Sequence, residues 1–433
     1  MTDPVAQFVG LAASHDRCFW LDGGGARPWS GRRTILGWLD EEDLSLTYDA
    51  RTGEVVRHRC GESEVVGDDI FTVLEAELHA ESETGSAGDG ADVHWVGYFG
   101  YASRPDLPAA VDAEDPMPTA VWMRTRNVRI FEHPPIAAEG GSETLAGAGS
   151  STTGDGEGAA RPPSDSVVPA DYAEEFERVQ EQLHAGNSYE VNLTHRLAVH
   201  SGLDPVTAYL RLRELNPAPY AGFLQHDGAW LLSSSPERYA TISRDRWIET
   251  KPIKGTTPRG TTPEEDERLR NHLADDPKFR AENLMIVDLL RNDLSMVCAP
   301  GTVDVTTLME VESYASVHQL VSTVRGRLRD DASTIGALRA LFPAGSMTGA
   351  PKLRTMQIIE EVEATARGVY SGAFGWLSGD GRADLGVIIR SMTTTGDQVW
   401  RLGTGGGITV RSDVSEEYAE SRWKADRLRR ALE

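Results

Sequence analysis

Ile248-Glu-Thr-Lys-Pro-Ile-Lys-Gly-Thr-Thr-Pro-Arg-Gly260 is the stretch from which the rest of the chain can be read. A strand-like run over 246–250 leads into it, and Pro252, Gly255 and Pro258 then turn the chain. Its centre, Pro252-Ile253-Lys254-Gly255-Thr256, sets one lysine between an apolar residue and a glycine. Such a lysine is either a solvated loop residue or a buried nucleophile. The second reading needs a neutral amine, so the site must disfavour the charge through desolvation or nearby cations. A single lysine in a Gly/Thr/Pro turn is common, and these residues alone favour the solvated reading.

The 433 residues suffice for two or more domains or one large α/β unit. An apolar fraction of 39% and a charged fraction of 25% are those of a globular chain in water. The net charge of −24, from 43 basic and 67 acidic residues, argues against nucleic acid or an anionic membrane as partner, since either calls for a basic face. It leaves open a small anion in a locally positive pocket. Cys18, Cys60 and Cys298 form no CxxC pair and fit neither a disulfide framework nor a zinc site. The N-terminus has no basic start and no apolar core of a signal peptide, and no apolar run reaches membrane-spanning length, so a cytoplasmic protein is expected.

Residues 1–136 read as a mainly β domain, with short apolar runs, turns and one helix over 69–79. The glycine-rich 22–30 lacks the GK[ST] ending of a phosphate loop and reads as a turn. Residues 137–166, rich in Gly, Ser and Ala, can bury almost nothing and are expected to be a flexible linker or surface loop. The third segment, 167–433, mixes helices and strands. Helices are expected over 169–184, with Phe176, Val179 and Leu183 on one face, and over 205–215. A third follows the Asp276-Pro277 start, with an apolar stripe of Phe279, Ile286 or Val287, Leu290 and Leu294. Residues 342–363 are a glycine-rich turn entering a helix, a geometry that offers backbone amides to an anion. Residues 368–410 alternate strands and tight turns.

The last helix begins at Asp413, with Glu416 three residues on as in a capping box. Glu417, Glu420 and Lys424 are spaced i, i+3 and i+7 and share one face. A solvated charged face accounts for this spacing; so does Mg²⁺, which needs only one or two carboxylates plus an anionic substrate. Gly405, Gly406 and Gly407, just upstream, allow backbone to approach a ligand closely or form a bulge. Arg390 ends the apolar run 385–389, where a charge calls for a salt bridge or a substrate carboxylate.

Nine motifs, SSSPER (233–238), KPIKGT (251–256), ENLMIVDLLRNDL (282–294), VHQLVST (317–323), GSMTGAPK (345–352), YSGAFG (370–375), IIRSM (388–392), GTGGGI (403–408) and EEYAESRWK (416–424), resemble the chorismate-utilising enzyme family in order and spacing. The resemblance runs from about residue 169 to the C-terminus and is looser before that. It implies an α/β fold of the α+β type, with two large antiparallel sheets packed as a sandwich and helices outside. It also implies a role for each matching position. Glu282 and Glu420, with Glu417 nearby, match Mg²⁺ carboxylates whose ion holds the ring carboxylate of chorismate. Tyr370 and Arg390, assisted by backbone at Gly405 to Gly407, match the groups that bind the enolpyruvyl carboxylate. Gly255 and Thr256 match the loop near the ring carboxylate, and Lys424 a lysine beside the metal carboxylates. Glu237 matches the general acid for the departing C4 hydroxyl, a poor leaving group without a proton.

Within the family, PIKGT is the pattern of the branch that aminates C4, where Lys254 would attack C2 as the C4 hydroxyl leaves and ammonia would then expel it. The product would be 4-amino-4-deoxychorismate, precursor of 4-aminobenzoate and folate, in a transfer of the transaminase-type amidotransferase class. The anthranilate branch carries a small apolar residue instead of Lys254. Isochorismate and salicylate synthases carry a water-activating lysine where this chain has Glu190. None of the three cysteines sits in a G-x-C-x-G elbow, so ammonia is expected from a separate glutamine amidotransferase subunit. Gln319 stands where the family has a histidine, and His318 beside it reads as structural. The alternatives are component I of anthranilate synthase and a non-catalytic subunit that binds chorismate or tryptophan; mere binding would need neither the acid nor the nucleophile.

Overall fold

The computed structural model describes residues 3–23, 33–84, 93–133, 167–314 and 317–433. Most of the glycine-rich 22–30 and all of the expected linker 137–166 lie outside them.

Many strands are buried on both faces, which is why continuous apolar runs mark them. Along Ala120–Arg124, Val121 and Met123 face one cluster while Ala120 and Trp122 face another. Trp95–Phe99 repeats the pattern, with Val96 and Tyr98 on one side and Trp95 and Phe99 on the other. Among the described residues the strands form two sheets, with antiparallel pairing throughout.

The nine-stranded sheet runs from Gly349–Ala350 through Glu190–His200, Val399–Ile408, Ser391–Thr394, Ala229–Ser235, Tyr220–His226, Arg17–Asp22 and Arg33–Trp38 to Asn127–Glu132. The twelve-stranded sheet runs from Ile253–Pro258 through Val317–Arg327, Trp247–Lys251, Arg238–Ile242, Ala383–Val387 and Ala373–Leu377, then through Trp95–Phe99, Ala120–Arg124, Ser45–Asp49 and Glu54–Arg59 to Glu62–Gly67. Asp304–Ser313 pairs with Val317–Arg327 off that path. Both sheets thus take strands from before residue 134 and from after residue 166.

Phe19, Leu224 and Leu231 of the first sheet meet Val96, Tyr98, Val121 and Phe374 of the second in one buried layer. Helices cover the outer faces. Pro4–Ser14, Pro205–Leu215 and Val414–Ala431 cover the first sheet through Phe8, Tyr209, Leu212 and Leu428. Ile70–Thr84, Pro277–Ser295 and Thr334–Leu341 cover the second through Ile70, Leu74, Ile286, Leu290 and Leu338. This is the implied sandwich. At the start of Pro277–Ser295, Asp276 Oδ1 accepts from the backbone N–H of Lys278 at 2.8 Å and of Phe279 at 3.2 Å. Asp413 does the same for Ser415 and Glu416 on the last helix. The helix Pro4–Ser14 is not anticipated above, although Asp3 caps it and Pro4 opens it.

Two crossings between the sheets place the site. Pro236 and Glu237 carry the chain from Ala229–Ser235 to Arg238–Ile242, and residues 388–390 carry it back from Ala383–Val387 to Ser391–Thr394. The crossings lie side by side, since the Val387 N–H donates to the Glu237 carbonyl at 3.0 Å. Arg390 turns the second with φ of 50°, a left-handed conformation that costs a non-glycine residue about 1–2 kcal/mol. Glu237 and Arg390 are therefore neighbours at the seam of the sandwich.

Candidate active site

Beside this seam a cavity of about 300 Å³ collects every residue to which the resemblance assigns a site role. The two crossings contribute Glu237 and Arg390, the strand Ile253–Pro258 contributes Lys254, Gly255 and Thr256, and the strand Val399–Ile408 contributes Gly405, Gly406 and Gly407. Glu282 comes from Pro277–Ser295, and Glu417, Glu420 and Lys424 from the last helix. Tyr370 completes the set. A second cavity, of about 390 Å³, lies around Tyr220, Phe374 and Trp376 and holds none of them.

Lys254 is only 9% exposed and follows Pro252, where the chain bends from one strand to the next, so the solvated-loop reading fails. Its Nζ donates to Glu190 Oε1 in a buried ion pair. Burial alone would push its pKa down, but the nearby carboxylates of Glu190, Glu282 and Glu237 outweigh burial and hold it above the usual lysine value. The expectation that the site disfavours the lysine charge is therefore corrected: at rest, the surrounding acids keep the ammonium. Gly255 has φ of 89°, and a Cβ there would lie 2.8 Å from the Phe279 ring, so both conformation and space call for glycine. Thr256 follows it on the cavity wall.

Glu237 is 5% exposed, and burial lifts its carboxyl to a pKa of about 7, against the opposing pull of Ser346, Lys254 and Lys424. A carboxyl poised there can hold a proton at neutral pH and give it up. Tyr370 is buried, and its ring occupies the space a side chain at Gly403 would need: a Cβ would fall 2.1 Å from the ring. Arg390 has no carboxylate partner among the described residues. It donates to the Lys424 carbonyl at 2.8 Å and lies over the Trp423 ring at 5.5 Å. Burial, with Arg427 nearby, lowers its pKa to about 10. A guanidinium in this position is suited to an incoming carboxylate.

The three glycines differ in what they accommodate. A Cβ at Gly405 would strike the Leu193 carbonyl at 2.2 Å, and one at Gly407 would strike Glu190 Oε1 at 2.1 Å. Gly406 faces the charged helix, with Glu417 Oε2 3.3 Å and Lys424 Nζ 3.6 Å from the position of its missing Cβ.

The acidic face of the last helix points inward. Glu417 is 3% exposed and accepts from Lys278 Nζ at 2.9 Å and Ser412 Oγ at 2.7 Å. Glu420 pairs with Lys424 at 3.0 Å, and Lys424 Nζ also donates to the Gly405 carbonyl at 2.9 Å. Glu282 is raised to a pKa of about 7 by burial, and its Oε1 finds no hydrogen-bond partner among the described residues. No three His, Cys, Asp or Glu side chains among the described residues are grouped as a ready-made metal cage. The residues still suit Mg²⁺. They offer hard oxygen donors and one buried, unpartnered carboxylate oxygen, and the ion needs few protein ligands when a substrate carboxylate completes its shell.

Several cavity residues escape the sequence reading. Lys278 lies one helical turn from Glu282, an i, i+4 spacing visible in the sequence. Ser346 donates to Glu237 Oε1, whereas the helix start after it, Pro351 to Leu353, lines a different groove, so the anion-binding geometry expected of that turn is not part of this cavity. Gln319 is 5% exposed on the cavity wall. His318 bonds Asp266 at 2.9 Å and Ser313 at 2.8 Å and does not line the cavity.

The chain matches the family of chorismate binding enzymes over residues 17–430. It is 40% identical to aminodeoxychorismate synthase of Streptomyces pristinaespiralis, over 99% of this chain and 64% of that protein, so it spans just under two thirds of the relative's length. It is 45% identical to aminodeoxychorismate synthase component 1 of Salmonella typhimurium, over 62% of this chain and 58% of that one. Among solved structures, anthranilate synthase component I of Streptococcus pneumoniae superposes with a TM-score of 0.73 at 25% identity, covering 93% of each chain.

Proposed function

The chain belongs to the family of chorismate binding enzymes, and from that premise we propose that it aminates chorismate at C4 to give 4-amino-4-deoxychorismate. The observation that carries the proposal is Lys254, buried on the wall of the shared cavity together with Glu237, an acid still protonated near neutrality. In this reading Glu237 protonates the departing C4 hydroxyl while Lys254 bonds to C2, and ammonia then takes C4 and expels the lysine. Arg390 and Tyr370 hold the enolpyruvyl carboxylate, helped by the backbone at Gly405 to Gly407. Gly255 and Thr256 lie by the ring carboxylate with Lys424. Glu282 and Glu420, with Glu417 beside them, are the residues that would hold Mg²⁺, whose charge neutralises the ring carboxylate when bound.

The ammonia would come from glutamine through a separate amidotransferase subunit, as the component 1 name of the Salmonella relative suggests. Cys18 and Cys298 are both buried, with thiols raised to pKa values of about 12 and about 11 chiefly by that burial, which disfavours either as a glutaminase nucleophile. Incubation with chorismate, MgCl₂ and ammonium salt, followed by product analysis, tests the reading. A non-aromatic C4 amine is expected with ammonium, and none with glutamine alone. An aromatic product formed without any added lyase would instead mark the anthranilate reaction, the alternative raised by the Streptococcus structure.

A further inference from the structure

Glu190 opens the strand Glu190–His200 on the same face as Asn192, which lines the cavity, and its side chain is fully buried. Its Oε1 accepts the hydrogen bond from Lys254 Nζ, while its Oε2 has no partner among the described residues. Gly407 leaves it room, since a Cβ there would overlap Oε1. Lys254 is also faced by Glu282 from the helix Pro277–Ser295 and by Glu237 from the sheet crossing, but Glu190 is the carboxylate it bonds. An ammonium cannot attack carbon until it sheds a proton, and a hydrogen-bonded carboxylate is the shortest route for that proton.

We propose that Glu190 is the positioning residue that holds Lys254 Nζ at the cavity wall and takes up the proton Nζ sheds when it bonds to C2. The inference rests on the reading that Lys254 is the nucleophile. In the first half, one proton passes from Nζ to Glu190 and the nitrogen lone pair forms the C2–N bond. The two ring double bonds shift, and the C4–O bond breaks with its electron pair to leave as water, using the Glu237 proton. In the second half, ammonia bonds to C4, the double bonds return, and the C2–N bond breaks with its pair on Nζ. Nζ then recovers its proton from Glu190, and Glu237 recovers one from the new C4 ammonium group. The sum is chorismate plus ammonia giving the amine plus water.

The test is the rate of the covalent step, followed by intact-protein mass spectrometry with chorismate and MgCl₂ but no ammonia, for wild type and Glu190→Gln across about pH 6 to 10. Glutamine cannot accept the proton, so the adduct should form about 100-fold more slowly near neutrality. The ratio of its rate to the wild-type rate should then climb about tenfold per pH unit as solvent strips the lysine, because loss of the Glu237 proton above a pH of about 7 slows both alike. Chorismate binding, read from Trp423 fluorescence, should change far less. A wild-type rate in Glu190→Gln, or a slowing by one constant factor at every pH, overturns the assignment and leaves Lys254 as nucleophile. Absence of adduct in wild type overturns the parent reading and this one together. Should Glu190→Gln fail to fold, Gly407→Ala carries the test, because it keeps the carboxylate but pushes it off Nζ; an unchanged adduct rate there also overturns the proposal.

Discussion

Ser346 Oγ donates a hydrogen bond to Glu237 Oε1 at 2.5 Å, at the crossing between the two sheets. This bond favours the ionised carboxyl, while burial favours the protonated one and prevails. The proton that Glu237 would donate is present below a pH of about 7 and is lost as the pH rises through that value. Turnover that depends on it should fall on the alkaline side. Ser346→Ala removes a bond of about 1.5–3 kcal/mol to a charged group and should move this limb up by about one pH unit or more. The ratio of variant to wild-type pH profiles isolates the shift, because the ionisation of ammonium is common to both. A limb that stays in place would show that Glu237 is not the proton donor.

The carboxylates Glu282, Glu417 and Glu420 make a second prediction. A chelator should abolish turnover and added Mg²⁺ should restore it. Glu420→Gln should lower kcat/KM by at least about 100-fold, with the melting temperature shifted by only a few degrees, since the Glu420 side chain is partly exposed and pairs with Lys424 rather than packing in the core. Full activity in excess chelator, or in this variant, would contradict the metal assignment.

Gly403 supports the site through the space it leaves. Its missing side chain leaves space for the Tyr370 ring, and its φ is not in the left-handed region, so the constraint is purely one of volume. Gly403→Ala should destabilise the fold by about 1–3 kcal/mol through overpacking and raise KM for chorismate by displacing Tyr370. Thermal melts and steady-state kinetics read the two effects separately. An alanine tolerated in both would mean that the Tyr370 ring is not held where it appears.

Much of this was legible in the sequence because the signals were local. Asp276-Pro277 and Asp413 announce their helices through side-chain caps that need no tertiary information. The sandwich itself came from the resemblance of nine separate motifs. Local pattern failed where distant strands decide the outcome. The spacing of Glu417, Glu420 and Lys424 was equally consistent with a solvated face, and only packing against Gly405 and Lys278 turns that face inward. The direction in which the site shifts Lys254 is not legible locally, because its partner Glu190 lies 64 residues away in sequence and the neighbours of Lys254 in the chain say nothing about it. The helix at Pro4–Ser14 has an Asp-Pro start that matches the signal at Asp276, so its beginning too is legible locally.

The central claim is that Lys254 is the nucleophile. Its burial, its ion pair and its place on the cavity wall beside Glu237 support that role, and a spectator lysine would leave the chemistry intact when removed. Intact-protein mass spectrometry with chorismate and Mg²⁺, in the absence of ammonia, is the most direct test. A covalent adduct of chorismate less water is predicted on wild type and none on Lys254→Ala, with C4 amination lowered by orders of magnitude in the variant while chorismate still binds. A Lys254→Ala protein that keeps substantial amination and delivers a C2 amine would contradict the account and place the chain with the anthranilate reaction.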